Sequence, residues 1–568
     1  MDRRFILAVV LMMVVLIVPP LFLKKPARRP AVPTALAVSD SAPVRLPAVP
    51  ARPAALGGLP IDSATLVEDT VLVRSALYQY RFSTRGGRMI GAVLSDYRSM
   101  RQDEPGQPVQ IFSPISEFLS LSLLTGRDTI RLSNLAFRPS VKSVEVVEGA
   151  EPSQLTLSAA IDSTLALDLT YSFVPNDYRV EVRGRVRGLG PTGGTFLIGM
   201  GPGLRNTESD SVEHARELSI VTRSSKSELT HFSSLKPGEP TLLSGPFQWV
   251  ALKSKYFVTG VLAPDSGSST QGRLGGVFAS ATDRTHRTPE FADVSTSVGI
   301  GADGGIRFSL YVGPMEYPRL AALGHGFDDV NPYGWAWLRP VIRPVAVGAR
   351  WLLVWLHEKA GLAYGLALVV FGVGIRLVLW PLNQRAMRAS MATQAIQPVL
   401  KEIQEKYKSD PQRLQQEMFK VYKDSKVTPF SGCWPVLLPW PILIALFFVF
   451  QNSIELRGQS FLWLPDLSRH DPFYIIPVLM AASMFGVTKI GQMGMPENPQ
   501  MKMMLYLMPI MMLVMFLKFA SGLNLYYAVQ NLASIPQQWL VAKERMRRLP
   551  PPAPVPPPPG PTKRSLKK

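Results

Sequence analysis

Two kinds of hydrophobic patterning divide this chain. From about residue 61 to 320, apolar and β-branched residues come in short runs, as in DTVLVRSALYQYRF, LTLSAAIDSTLALDLTYSF and WVALKSKYFVTGVLA. Turn signals separate them, among them Arg85-Gly86-Gly87, Pro175-Asn176-Asp177 and Asp265-Ser266-Gly267. Short alternating runs bounded by such turns predict a large, mostly antiparallel β-sandwich. Beyond residue 360 the apolar runs become long and almost free of charge, the mark of helices that cross a bilayer. Segment 361–382 (GLAYGLALVVFGVGIRLVLWPL) predicts one crossing, and the uncharged stretch 427–454 contains another. Segments 472–488, about 503–517 and about 521–541 predict three more. With the apolar run 5–23 this makes six crossings.

The ends of these runs carry further information. Arg3 and Arg4 precede the run 5–23, and Ala35-Leu36-Ala37, the A-x-A-like site, lies well past it. An uncleaved signal anchor over 1–23 fits this better than a cleaved signal peptide. Residues 24–60 are rich in Pro and Ala and predict a linker. Residues 333–359 mix Trp335, Trp337, Trp351 and Trp355 with Arg339, Arg343 and Arg350, a pattern of an interfacial helix or of an ordinary packing helix with surface tryptophans. The fifth crossing covers only about 22 Å at 1.5 Å per residue, against a hydrocarbon core about 30 Å thick, so flanking lysines must snorkel or the bilayer must thin.

Charge sets the topology. The chain carries a formal net charge of +19, with 46% hydrophobic and only 18% charged residues. Between the second and third crossings lie nine basic and five acidic residues, and a basic, Pro-rich tail follows the sixth at 542–568. Positive residues stay inside, so both segments are expected in the cytoplasm and the β domain outside; Lys24, Lys25, Arg28 and Arg29 oppose this order. Within 384–426 a helix over 384–407 and a second one capped by Asp410 predict a hairpin. The basic tail suits RNA phosphates or anionic lipid equally.

Arg376 stands alone in its crossing, about 9 Å in from Leu382. An arginine at such depth either snorkels to the interface or faces a wet cavity. On a helical wheel of 524–540, Asn524, Tyr526, Tyr527, Gln530, Asn531, Ser534, Gln537 and Gln538 fill one half and apolar residues the other. Polar groups facing lipid are costly, so this half serves as hydrogen-bonding glue between helices or lines a wet groove shared with Arg376.

Enzyme motifs are absent from the sequence. The six histidines have no metal-ligand spacing, and there is no Walker A, H-E-x-x-H or G-x-S-x-G motif. Gly299-x-Gly301-x-x-Gly304 matches a dinucleotide fingerprint by letter but lies among strands and reads as a turn. No cofactor and no enzymatic activity are expected. Arg376 would also suit a secondary transporter binding an anionic solute, though internal repeats are not seen. A mere anchor for the β domain would not need the polar stripe.

The segments SGCWPVLLPWPILIALFFVFQNSIELRG, FLWLPDLSRHDPFYIIPVLM and SGLNLYYAVQNL resemble the YidC/Oxa/Alb family of membrane protein insertases. IRLVLWPL, STRGG, KYF (255–257) and YVGPMEY (311–317) are similar to its bacterial branch. The resemblance implies a multi-domain α+β protein of the cell inner membrane, with a five-helix insertase core over 361–541 and an all-β periplasmic super-sandwich. It further implies a hydrophilic groove that moves nascent membrane proteins into the bilayer, alone or with the Sec translocon. Arg376 matches the groove arginine, and Tyr526 and Tyr527 match a pair of tyrosines of which one contacts substrate. The hairpin would receive nascent chains from the ribosome. Gly372, Pro439 and Pro536 depart from the pattern: a hydroxyl residue is common at the first position and glutamine at the second, while Pro536 is expected to interrupt the last crossing.

Overall fold

The structure, a computed structural model, describes residues 68–113, 116, 118–126, 128–161, 163–189, 193–264, 273–281, 291–334, 337–408, 410–425, 440–494 and 499–548. The expected crossing at 1–23, the linker 24–60, Pro439 and the tail beyond 548 lie outside them. Of the described residues, those from 68 to 494 and from 504 to 548 belong to one compact unit and 499–503 to a second.

Strands run from Thr70 to Pro314 and form sheets of five, nine and six strands. Among the described strands the ladders are antiparallel except Thr70–Arg74 with Ser143–Glu145, and an isolated bridge between Pro237 and Ala281 is also parallel. Ala166–Phe173 alternates half-buried and buried positions along its length, as a strand with one face on a core must. Phe257–Leu262 is buried throughout. Leu155, Leu157, Leu167 and Val182 of the nine-stranded sheet share one apolar cluster with Leu121, Leu123, Phe196 and Ile198 of the six-stranded sheet. That shared core makes the region a sandwich. The Gly301–Gly304 segment is a hairpin turn: Gly301 N–H donates to the Gly305 carbonyl at 2.9 Å, Gly305 N–H to Asp303 Oδ1 at 3.0 Å, and Gly304 has φ +73°.

Two short helices belong to the β region, α1 (Ser211–Glu217) and α2 (Tyr317–Ala322). The helical region begins with α3 (Arg339–Glu358), which runs on through Pro344. Trp351 and Trp355 are exposed on one side of it, whereas Arg350 is buried on the other. The neighbours of Arg350 are an acid and a carbonyl rather than solvent. Next come α4 (Tyr364–Val378), α5 (Trp380–Ala395), α6 (Gln397–Lys406) and α7 (Pro411–Asp424). The helix expected over 384–407 divides at Ile396, with Pro398 in the first turn of α6, a position that suits proline. Asp410 caps α7 as expected, accepting from the Arg413 N–H at 3.1 Å.

The last helices are α8 (Trp440–Asn452), α9 (Ile475–Gly491), α10 (Pro499–Phe516) and α11 (Ser521–Arg548). Helix α11 packs mainly on α9 and α4, and α8 on α3. It continues through Pro536, which does not interrupt it. No helix among the described residues is long and apolar enough to cross a membrane, so the count of six crossings is not supported. The apolar run 361–382 is spent on two helices: α4 has 15 residues and α5 starts at Trp380, with Pro381 in its first turn. The longest helix, α11, carries polar residues along half its girth.

Candidate functional site

Helices α4 and α11 meet at Gly372. A Cβ there would lie 3.2 Å from Val529 Cγ1 and 3.5 Å from Tyr526 Cδ2, so the glycine sets how closely the helices approach. The Tyr526 ring is fully buried between Phe371 of α4 and Phe450 of α8, with centroids 5.9 and 5.3 Å away. Its hydroxyl has no hydrogen-bond partner among the described residues. Arg376, one turn beyond Gly372, is half-buried. Its Nε is buried and likewise has no partner among the described residues.

The remaining polar positions of α11 divide into two sets. Asn524, Ser534 and Gln537 are buried. Asn524 Nδ2 donates to the Phe516 carbonyl at 3.0 Å, Ser534 Oγ to the Asn531 carbonyl at 2.7 Å, and Gln537 Nε2 to the Trp380 carbonyl at 2.9 Å. Tyr527, Gln530, Asn531 and Gln538 are partly exposed. Tyr527 lies edge-on to Phe516, centroids 5.5 Å apart, and its hydroxyl donates to the Leu443 carbonyl at 3.5 Å, the far limit of such a bond. Asn531 Nδ2 donates to Ser483 Oγ at 3.2 Å and to the Met480 carbonyl at 3.4 Å on α9.

Asn531 and Gln537 tie α11 to its neighbours. The oxygens Asn524 Oδ1 and Gln537 Oε1 remain buried without a partner among the described residues, as do the Tyr526 hydroxyl and Arg376 Nε. Each such group costs about 1–3 kcal/mol unless something hydrogen-bonds to it. Asn531→Leu is expected to weaken the α9–α11 contact by about 0.6–1.7 kcal/mol, the range for polar contacts between membrane helices. A cysteine pair placed across α9 and α11 would report it as slower disulfide formation.

Sequence reasoning missed a second polar cluster in the loop 453–474. Arg457 is almost fully buried there: its Nε donates to Glu208 Oε1 at 2.9 Å, Nη1 to the Arg98 carbonyl at 2.8 Å and Nη2 to the Thr207 carbonyl at 3.2 Å. Its guanidinium lies 5.4 Å from the ring centroid of Phe257. Arg350 Nε donates to Glu455 Oε1 at 2.8 Å, Nη2 to the Met315 carbonyl at 3.0 Å and Nη1 to the Tyr333 hydroxyl at 3.3 Å. Burial opposes the Arg350 charge, but Glu455 and Tyr333 hold its pKa above the ordinary arginine value. The acids lie 249 and 105 residues away in sequence, so no local spacing reveals either pair.

A β domain joined to a helical region with a polar interhelical face defines a two-part chain. The "YidC periplasmic domain" family matches residues 70–342, and the "60Kd inner membrane protein" family matches 355–548. "Membrane protein insertase YidC" of Chlorobaculum tepidum is 30% identical over 95% of this chain and 94% of its own length. Its counterpart from Chlorobium phaeovibrioides is 31% identical over 95% of each chain. A crystal structure of an active YidC insertase, with its first transmembrane domain resolved, aligns to 84% of this chain and 95% of its own, at 17% identity and a TM-score of 0.32. The chain belongs to the YidC family of membrane protein insertases. Nothing in these likenesses supports a solute transporter.

Proposed function

We propose that the chain moves hydrophilic ends of nascent membrane proteins past the bilayer along the α4–α11 face, with Arg376 as the counter-charge. The observation that carries this is the pair of buried polar atoms without partners, Arg376 Nε and the Tyr526 hydroxyl, on facing helices. Tyr527, Gln530 and Asn531, partly exposed on the same face, continue the polar path, and Asn524 and Ser534 line its buried side. Moving a polar group into hydrocarbon costs several kcal/mol, so a donor already inside the membrane lowers the barrier.

The helix lengths support the same mechanism. Fifteen residues of α4 cover about 22 Å, short of a core about 30 Å thick. Such a helix sits in a thinned bilayer, where the polar path is shorter. In this reading the protein lies in the inner membrane with the β domain in the periplasm and α5–α7 in the cytoplasm. Nascent chains arrive there from the ribosome, alone or beside the Sec translocon, and the basic tail meets anionic lipid or ribosomal RNA. Release of the apolar segment into lipid drives the step.

Insertion into proteoliposomes of single-span substrates with an acidic or a neutral outer segment tests the role of Arg376. Arg376→Ala should lower insertion of the acidic substrate about tenfold, since hydrogen bonds to charged groups contribute about 1.5–3 kcal/mol. Arg376→Lys should fall between, and the neutral substrate should change little. An equal loss for both substrates removes the charge from the mechanism.

A further inference from the structure

A tight turn in the loop between α8 and α9 carries apolar residues where turns are normally polar. Phe461 and Leu464 exchange both backbone hydrogen bonds, each N–H donating to the other's carbonyl at 2.9 Å, which leaves Leu462 and Trp463 as the two residues of a hairpin tip. Leu462 sits at φ +54°, a left-handed conformation that such tips normally give to glycine, asparagine or aspartate. Its side chain is nonetheless 74% exposed, so contacts among the described residues do little to offset the strain.

A second arm stands beside this tip. Asp471 Oδ1 accepts from Trp463 Nε1 at 3.3 Å and from the Phe473 N–H at 3.0 Å, which ties 462–463 to 473–475. Phe473 is 66% exposed, and Tyr474 and Ile475 are exposed with it. Tyr474 also has a positive φ, +56°. The base beneath both arms is rigid. Leu464 and Leu467 belong to the apolar core of the helices, and Phe461 packs on Gly365 of α4 so closely that a Cβ on the glycine would lie 2.1 Å from its Cγ. The result is a firm apolar knob that points away from the protein.

What covers the knob follows from where its surface leads. Ile475, Val478 and Leu479 of α9 are exposed at positions i, i+3 and i+4, whereas Ile476, Pro477 and Met480 are buried. The knob thus continues the outward apolar stripe of a helix in an inner membrane protein, and the solvent of such a stripe is lipid. The 17 residues of α9 cover about 26 Å, against a hydrocarbon core about 30 Å thick, and the knob lengthens the apolar surface past the start of the helix. Tryptophan and tyrosine are the rings that membrane interfaces favour. Arg469, exposed and two residues before Asp471, supplies a cation for headgroup phosphates.

We propose that Leu462, Trp463, Phe473, Tyr474 and Ile475 form a lipid-inserting knob that seats this end of the helical region in the leaflet nearest the β domain. The rings lie at the boundary between headgroups and acyl chains. This rests on the placement of the helices in the membrane, is independent of the charge role given to Arg376, and asks nothing of the β domain.

The test uses the full chain with its sole cysteine, Cys433, replaced by serine, in nanodiscs of phosphatidylethanolamine and phosphatidylglycerol. A fluorescent label is placed singly through Leu462→Cys, Phe473→Cys, Ile510→Cys on α10 or Val147→Cys in the β domain, all exposed positions. Quenching is read with a lipid that carries a nitroxide near the top of its acyl chain and, separately, with iodide in the water. Labels at 462 and 473 should be quenched by the lipid nitroxide and should lose most of the iodide quenching seen at 147. Two positions on separate arms keep the result from depending on the fold of one variant. Iodide quenching at 462 or 473 equal to that at 147 overturns the proposal. So does a label shielded from both quenchers, since protein, a second copy or a partner, would then cover the knob. Position 510 separates the possible failures. Lipid quenching at 510 without it at 462 and 473 defeats the knob alone, whereas its loss at all three defeats the membrane placement as well.

Discussion

Asp471→Ala should lower the stability of the helical region by about 1–3 kcal/mol, because it leaves the buried Ile476 N–H and two partly buried donors without their acceptor. The Asp471 carboxylate is fully buried at the start of α9. Its Oδ2 accepts from the Ile476 N–H at 2.7 Å, and its Oδ1 from the Phe473 N–H at 3.0 Å and from Trp463 Nε1 at 3.3 Å. These bonds cap the helix, and they hold Tyr474 at φ +56°, a left-handed conformation that a residue with a Cβ adopts at some cost. Alanine removes the acceptors while the strained backbone remains. The check is the thermal midpoint of the full chain in detergent, followed by far-ultraviolet circular dichroism. Asp471→Asn keeps one acceptor oxygen and should recover part of the loss. An unchanged midpoint for the alanine variant would mean that the N–H groups find other partners.

The fate of Asp471 shows where sequence reading stops. The segment FLWLPDLSRHDPFYIIPVLM carries part of the family resemblance, yet its aspartate works through a three-dimensional turn that periodicity does not encode. Period-two alternation exposed the β domain, because strands such as Ala166–Phe173 have one face on a core that both large sheets share. The cap of α7 was legible because a cap acts within three residues. The polar half of α11 was legible as an angle on a wheel, but the wheel does not say which neighbour stands at each angle. Only packing separates buried Tyr526 from half-exposed Tyr527, one residue apart. Arg350 and Arg457 were invisible as buried pairs for a related reason: an arginine in a loop or beside tryptophans looks solvated until its distant acid is placed next to it. Helix ends failed where proline intervened, at Pro381 and Pro398, and the opposite error occurred at Pro536. Proline opens a helix without penalty, and in its interior it breaks the helix only if neighbouring packing does not hold the backbone in line.

Tyr526 and Tyr527 should respond oppositely to loss of a ring and loss of a hydroxyl. Tyr526→Ala is expected to cost about 3–5 kcal/mol, as for other large aromatic truncations in a core, since the ring fills the space between Phe371 and Phe450. Tyr526→Phe should leave stability unchanged or slightly higher, because the hydroxyl it removes is buried and has no partner among the described residues. Tyr527→Ala should cost less than Tyr526→Ala, for its ring is half-exposed and its one hydroxyl bond is long. If Tyr527 is the tyrosine that meets the substrate, Tyr527→Ala reduces insertion more than Tyr526→Phe does, although the protein itself stays folded. Thermal midpoints and insertion assays on the three variants separate the roles. A Tyr526→Phe variant that is as stable as the parent but inserts less well than Tyr527→Ala would move substrate contact to the buried ring.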